Sequence, residues 1–472
     1  MSAVDEFLES VLEFDEYLWY LPFFLILAVG LLSTIMFRGI QFTGLKEMFK
    51  ITFSRESGSS GVSPLQVFLL SMGNRVGVGN IAGPITAIIL GGPGAIFWMW
   101  VFATLGGATS FVESTIGQVF KSSDGEGGYI GGPAHNATKG LRSRKLGVTI
   151  AVLMILVYFG GYVLSQTSAI STSFTSAYEF EYNNLVIALV LSAIAVAVAL
   201  GGFRRIAKVS EFIVPFMTVA WVAICLFVIA MNGQGIPDAI SSIFVCAFSV
   251  PATVGGGVGA MLGIALRRGI WSNEAGEGTI TNISSSADVS HPVRQGLSQS
   301  LGVLFDTLIS TMVALLVLSY GSYDEIMALG IEDSMELLEH IIATTFGGDF
   351  TKTIVFIFLF LFAITSFMGD YVIGENNLKF ITRSKLAKAM LVAFATIVVF
   401  LSAYYGSDGM FAIMDVLLAV CGVVNCIMVF MLIKFAREAY QDYRRQKAQG
   451  VEDPVFHKSA LSDPSEITEW DD

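Results

Sequence analysis

Charged side chains are scarce in this sequence. Asp, Glu, Lys and Arg make up 14% of its 472 residues, where soluble domains carry about 25%. A surface facing water on all sides cannot be covered with so few. Histidine and cysteine are rarer still, at four residues each. By pattern His135, His291, His340 and His457 fall in loops or in the tail, and no Ser/His pairing or metal-ligand spacing is visible. An intramembrane enzyme would therefore lack its base. Cys225, Cys246, Cys421 and Cys426 lie in or beside apolar runs and read as small buried residues. The 27 Lys and Arg are outnumbered by 39 acids, for a net charge of −12, which excludes a nucleic-acid partner. No basic leader precedes the first apolar run; Asp5, Glu6, Glu9, Glu13, Asp15 and Glu16 stand there instead, so no cleaved signal peptide is expected.

Apolar residues are present in excess: 54% of the chain is hydrophobic and mean hydropathy is +0.69. A helix needs about 20 apolar residues to cross a bilayer. Eleven runs qualify, at 20–37, 64–90, 95–120, 147–172, 185–203, 209–231, 253–283, 297–319, 353–378, 387–405 and 410–433. The chain reads as an all-α polytopic membrane protein. Lys and Arg are retained on the cytoplasmic side, and nearly all of them fall in alternate connections, among them Arg38, Lys50, Arg144, Arg204, Lys379 and Lys434. That puts the N-terminus outside and the C-terminus in the cytoplasm of a plasma membrane, the bacterial inner membrane. Three regions follow: an acidic external stretch at 1–19, a membrane domain at 20–435 and a charged tail at 436–472. The tail is polar, proline-punctuated and without periodicity, and reads as disordered. Residues 38–63 mix Phe42, Phe49 and Phe53 with basic residues and read as an interfacial amphipathic helix followed by a flexible Ser57–Gly61 run.

Two apolar runs are interrupted. The second holds Ser71-Met-Gly-Asn-Arg-Val-Gly-Val-Gly-Asn-Ile-Ala-Gly-Pro84. Non-helical backbone at membrane depth is tolerated where protein or a water-filled cavity satisfies its polar groups, so such a break points to a binding site. The competing use is packing, since Gly73-x-x-x-Gly77 and Gly79-x-x-x-Gly83 also let helices touch. The seventh run repeats the device in Gly255–Gly263 and Arg267-Arg-Gly-Ile-Trp-Ser-Asn-Glu-Ala-Gly-Glu-Gly278. Broken segments five spans apart are the signature of an inverted repeat, here spans 2–6 and 7–11, which suits a transporter better than a channel.

Polar groups elsewhere in the spans are candidates for the same site. Gln166 brings an amide with donors and an acceptor, as glue between helices or as a ligand contact. Adjacent Thr365 and Ser366 supply hydroxyls suited to a small hard cation. Asp370 is a carboxylate inside a span and by default functional; its structural alternative is an ion pair with Arg75, Arg267 or Arg268.

The segments Gly77-Val-Gly-Asn-Ile-Ala-Gly83, Leu90-Gly-Gly-Pro-Gly-Ala-Ile-Phe-Trp-Met-Trp100, Gly131-Gly-Pro133, Arg268-Gly-Ile-Trp-Ser-Asn-Glu-Ala-Gly276 and His291-Pro-Val-Arg-Gln-Gly296 resemble the alanine or glycine:cation symporter family, the sodium:alanine symporters. The resemblance runs from about residue 20 to 435. It implies a LeuT-type 5+5 inverted repeat and inward symport of a small neutral amino acid with Na⁺ or sometimes H⁺. It implies no other cofactor and leaves the oligomeric state open. Carried over by position, Gly77, Val78, Gly79, Asn80, Gln166, Trp271, Ser272, Asn273, Gly276 and Asp370 would hold the amino acid. Thr365 and Ser366, with Gly77 and Asn80, would hold Na⁺. Three positions depart from the family pattern: Val78 stands where threonine is common, Arg75 where many members are neutral, and Asp370 in place of a tryptophan that restricts the pocket. The departures suggest that Arg75 and Asp370 face each other, or that Asp370 takes an amide-bearing or cationic substrate.

Overall fold

A computed structural model describes residues 18–54, 62–249, 257–348, 350–406 and 409–471. The acidic stretch before Leu18, the Ser57–Gly61 run and Gly255–Gly256 lie outside the described residues. The described residues are mainly helical, with one short hairpin pairing Ser122–Ser123 with Tyr129–Ile130. Helix α1 is Tyr20–Met36, and α2, Leu45–Thr52, is the expected amphipathic helix, burying Met48 and Ile51 while Phe49 faces out. The second apolar run divides into α3, Pro64–Arg75, and α4, Gly79–Gly91. Next come α5, Gly94–Val119; α6, Arg144–Ala177; and α7, Asn183–Met231. After α8, Ile236–Cys246, the seventh run divides into α9, Gly257–Asn273, and α10, Thr279–Ser284. The bundle is completed by α11, Pro292–Tyr320; α12, Ser334–Phe346; α13, Phe350–Ile381; α14, Lys385–Tyr405; and α15, Gly409–Ala448.

Local signals set several of these ends. Ser63 and Gln66 form a reciprocal capping box at 3.2 Å, with Pro64 at the first position of α3, where its missing N–H costs nothing. The α9/α10 pair inverts the α3/α4 pair. A side-chain carbon on Gly79, Gly83 or Gly91 of α4 would meet Trp271, Arg268 or Ile264 of α9 respectively; rising numbers on one helix match falling numbers on the other, so they run antiparallel. The glycines therefore both break the helix and let helices touch. The outer helices turn apolar side chains outward, among them Leu200, Phe212, Phe216, Leu386 and Met390, as lipid-facing surfaces require.

The runs at 185–203 and 209–231 are found as two helices, together α7, that meet at a sharp turn at Gly202 (φ 68°, ψ 165°) beside Arg204 and Arg205. Two sequence expectations are corrected. His340 lies on helix α12, not in a loop. The tail is not disordered: α15 continues to Ala448, and residues 451–471 pack back on the molecule with Phe456, Leu461, Ile467 and Trp470 buried. Those four apolar side chains are too widely spaced to register as a periodic pattern.

A side-chain carbon on Gly202 would meet nothing within 4 Å, so its backbone alone dictates glycine. Gly202→Ala is expected to cost about 1–3 kcal/mol through that dihedral strain. Thermal unfolding in detergent checks this; an unchanged midpoint would show that the turn adapts.

Candidate functional site

The first break spans three residues. Helix α3 ends at Arg75, Val76 leaves helical geometry (ψ 79°), and α4 starts at Gly79. The Gly77 amide donates to Asn80 Oδ1 at 3.1 Å. The amides of Val78 and Gly79, at a helix start, have no carbonyl one turn earlier to bond. Helix α13 passes against this break. Ser366 Oγ donates to the carbonyls of Gly73 (3.2 Å) and Asn74 (3.0 Å), whereas Thr365 Oγ bonds back to Leu361 and Phe362 of its own helix. A side-chain carbon on Gly77 would stand 2.5 Å from Ser366 Oγ and 3.0 Å from Gln166 Oε1. The structure thus brings Gly77, Gln166 and Ser366 together, and Gln166 Oε1 is buried without a hydrogen-bond partner among the described residues.

Asn80 and Ser272 turn to a different neighbour. Asn80 Nδ2 donates to Asp306 Oδ1 at 2.6 Å and to Ser272 Oγ at 2.9 Å, and Ser272 Oγ donates to Asp306 Oδ2 at 2.8 Å. Asp306 joins the two broken helices to α11. It was missed in the sequence, although a lone acid inside the apolar run 297–319 was a sufficient signal.

The second break follows Asn273. Glu274 takes a left-handed backbone (φ 54°), and Gly276 and Gly278 follow at φ 99° and 76° before α10 begins. Trp271 backs the start of α4, its carbonyl 3.0 Å from where a Gly79 side chain would begin. Gly276 is held to the framework, its carbonyl accepting from Asn425 Nδ2 at 2.8 Å. Asn74 Nδ2 donates to Glu274 Oε1 at 2.8 Å, and Tyr162 Oη to Glu277 Oε2 at 2.8 Å.

Arg75 and Asp370 do not pair. Arg75 is 1% exposed and spends its fork elsewhere: Nε donates to the Asn273 carbonyl (3.0 Å), Nη1 to Gln299 Oε1 (3.0 Å) and Nη2 to Ser110 Oγ (3.0 Å). It clamps the first break to the second, and to α5 and α11. Opposite-charge matching failed as a guide because a guanidinium is satisfied as well by carbonyls. Asp370, on α13 one turn beyond Ser366, is fully buried, and neither carboxylate oxygen has a hydrogen-bond partner among the described residues. Its neighbour Gly369 lies against Asn74, where a side chain would collide with Asn74 Oδ1. At the end of the bundle away from most basic residues, Arg268 of α9 pairs with Asp415 of α15 over the Trp271 ring. A small cavity of about 20 Å³, room for roughly one water, lies to one side of Gln166, between Thr167, Leu191 and Phe367; Gly77, Ser366 and Asp370 do not line it.

A family model described as the sodium:alanine symporter family matches residues 3–458. The chain is 37% identical to the amino-acid carrier protein AlsT of Bacillus subtilis (strain 168), over 99% of each chain. It is 37% identical to the probable sodium/glutamine symporter GlnT of that organism, over 94% of this chain and 92% of the relative. With the sodium/proton-dependent alanine carrier protein of Bacillus sp. (strain PS3) it shares 34% identity over 87% and 94% respectively. Its fold is similar to that of MhsT solved in complex with L-phenylalanine, with a TM-score of 0.56 at 15% identity, covering 81% of this chain and 97% of that one.

Unpairing a buried charge network costs about 3–5 kcal/mol. Arg75→Gln is expected to lower the thermal midpoint in detergent by a corresponding margin, and Arg75→Lys, which keeps the charge without the fork, by less. An Arg75→Gln protein with an unchanged midpoint would remove Arg75 from the framework.

Proposed function

This chain belongs to the sodium:alanine symporter family, cation-coupled amino-acid symporters of LeuT-type fold, and on that premise we propose that it brings a neutral amino acid into the cell with Na⁺, and that Asp370 admits side chains ending in an amide. The observation behind the amide reading is the buried Asp370 carboxylate with both oxygens unpartnered. In a low-dielectric site such a group gains from any donor that reaches it, and an amide NH₂ supplies two hydrogens. Alanine- or glycine-sized substrates are the second reading, favoured by how tightly Ser366 and Gln166 pack on Gly77 beside the break.

The roles follow from the geometry. The amides of Val78 and Gly79 receive the substrate carboxylate, aided by the positive end of α4. Gln166 Oε1, unpartnered beside Gly77, accepts from the substrate ammonium. Na⁺ is carried against the oxygens already gathered at Ser366, Gly73 and Asn74, which suit a small hard cation. Coupling requires that both ligands favour the same conformation over the empty ones. The basic connections support a cytoplasmic side for α2, the α7 turn and the tail, in a bacterial inner membrane.

Proteoliposome uptake of alanine, glycine, glutamine, asparagine and lysine, with and without an inward Na⁺ gradient, tests both parts. Gradient-driven uptake of a neutral amino acid is expected; uptake that ignores Na⁺ and H⁺ gradients, or none at all, overturns the transport reading. A hydrogen bond to a charged group is worth about 1.5–3 kcal/mol, so Asp370→Asn should lower glutamine uptake relative to alanine by roughly 10- to 100-fold. Equal loss for both substrates would make Asp370 structural.

A further inference from the structure

The segment after α15 makes more contacts than a tail needs. Gly450 (φ 85°) turns the chain out of the helix. Ser290 then holds it twice: Phe456 N donates to the Ser290 carbonyl at 2.9 Å, and Ser290 Oγ to the Pro454 carbonyl at 3.0 Å. Lys458 N donates to the Asp471 carbonyl at 3.0 Å, closing residues 458–471 into a loop that sets the Trp470 ring 5.3 Å from the Phe456 ring. Trp470 Nε1 donates to the Gln118 carbonyl at the end of α5 (3.0 Å), and the Lys121 ammonium lies 4.2 Å from the Trp470 ring centre. Along the same segment, acids meet bases of the body: Glu452 with Lys50, Asp453 with Arg294, and Asp463 with Arg142.

The position of Trp470 gives these contacts their meaning. Gln118, whose carbonyl Trp470 holds, donates from Nε2 to the carbonyls of Ser284 (2.6 Å) and Ala287 (3.1 Å). Ser284 is the last residue of α10, one half of the second broken span. Ala287 bridges to Val62, two residues before α3, which belongs to the first broken span. The half-helices α3 and α10 are therefore joined at this end of the molecule, and Trp470, through Gln118 and Lys121, rests on the joint. Beside the joint lies a vestibule of about 560 Å³, walled in part by Val62 and Ser286 and by Glu375 and Asn376 of α13, while Ser366 and Asp370, earlier on α13, are fully buried. On the proposed transport function, a path from vestibule to site runs past the joint.

We propose that residues 451–471 form an autoinhibitory strap, with Trp470 as its latch, that holds the basic end of the transporter closed and slows transport until it lifts. The latch itself, the Trp470 ring over Lys121 and one hydrogen bond to Gln118, can part while Ser290 and the ion pairs keep the rest of the strap on the body.

The test uses full-length protein in proteoliposomes with two readouts. The first is the initial uptake rate of the best substrate per protein. The second is labelling of Ser286→Cys by a membrane-impermeant maleimide from the basic side, which needs no substrate and so does not depend on the assigned function. Trp470→Ala, and separately a chain ended after Gly450, are expected to raise the labelling rate and the uptake rate severalfold. Trp470→Phe keeps the ring and should fall between. Labelling unchanged in both the Trp470→Ala and the shortened protein overturns the proposal, as does faster labelling with uptake unchanged or slower, because the strap would then cover the joint without restraining transport.

Discussion

Everything at the centre of this molecule depends on how the ends of four half-helices are arranged. Helices α3 and α9 finish at Arg75 and Asn273, and α4 and α10 start at Gly79 and Thr279. Two carbonyl ends and two amide ends thus meet in one place, each carrying about half a charge of its own sign. A buried guanidinium is expensive unless its donors are used and its charge answered. Arg75 meets both conditions there: it bonds the Asn273 carbonyl at the end of α9, while Glu113, Glu274 and Asp306 supply the opposite charge around it. The breaks are held open by this clamp, and the amide ends remain for a ligand.

The glycines serve the same arrangement from another side. Unwinding a helix inside a bilayer exposes backbone groups that hydrocarbon cannot satisfy, so neighbouring helices must come close enough to do so. Gly77 lets Ser366 and Gln166 approach, and Gly79 and Gly83 let α4 lie on the α9 backbone. Breaking and packing, which looked like rival explanations of one motif, are two requirements of one design.

The architecture was legible because its signals are long and redundant: apolar runs of about 20 residues, basic residues in alternate connections, and glycine with asparagine where neither suits a span. The partners of single polar residues were not. Arg75 and Asp370 were the natural pair by charge, yet pairing depends on helix register, and the register directs Arg75 to Asn273, Gln299 and Ser110. Asp306 passed unnoticed because one acid barely changes the hydropathy of its run. The strap was hidden for the opposite reason: Phe456, Ile467 and Trp470 are too few to offset a polar composition, but all three are buried, Trp470 against Phe456.

The contrast between Arg75 and Asp370 separates framework from site. Both are buried and charged, but Arg75 has spent its donors and gains nothing from a ligand. Asp370, Gln166 Oε1 and Asn74 Oδ1 are acceptors without donors, clustered along α3, α6 and α13 around the first break. A carrier needs such incomplete groups, because only an interaction that differs between the empty and loaded states can shift its conformational balance. Fully satisfied residues hold the two halves in register, and incomplete ones give the substrate something to complete. On the function proposed above, the choice of substrate rests with α13 at Asp370 rather than with the glycine breaks.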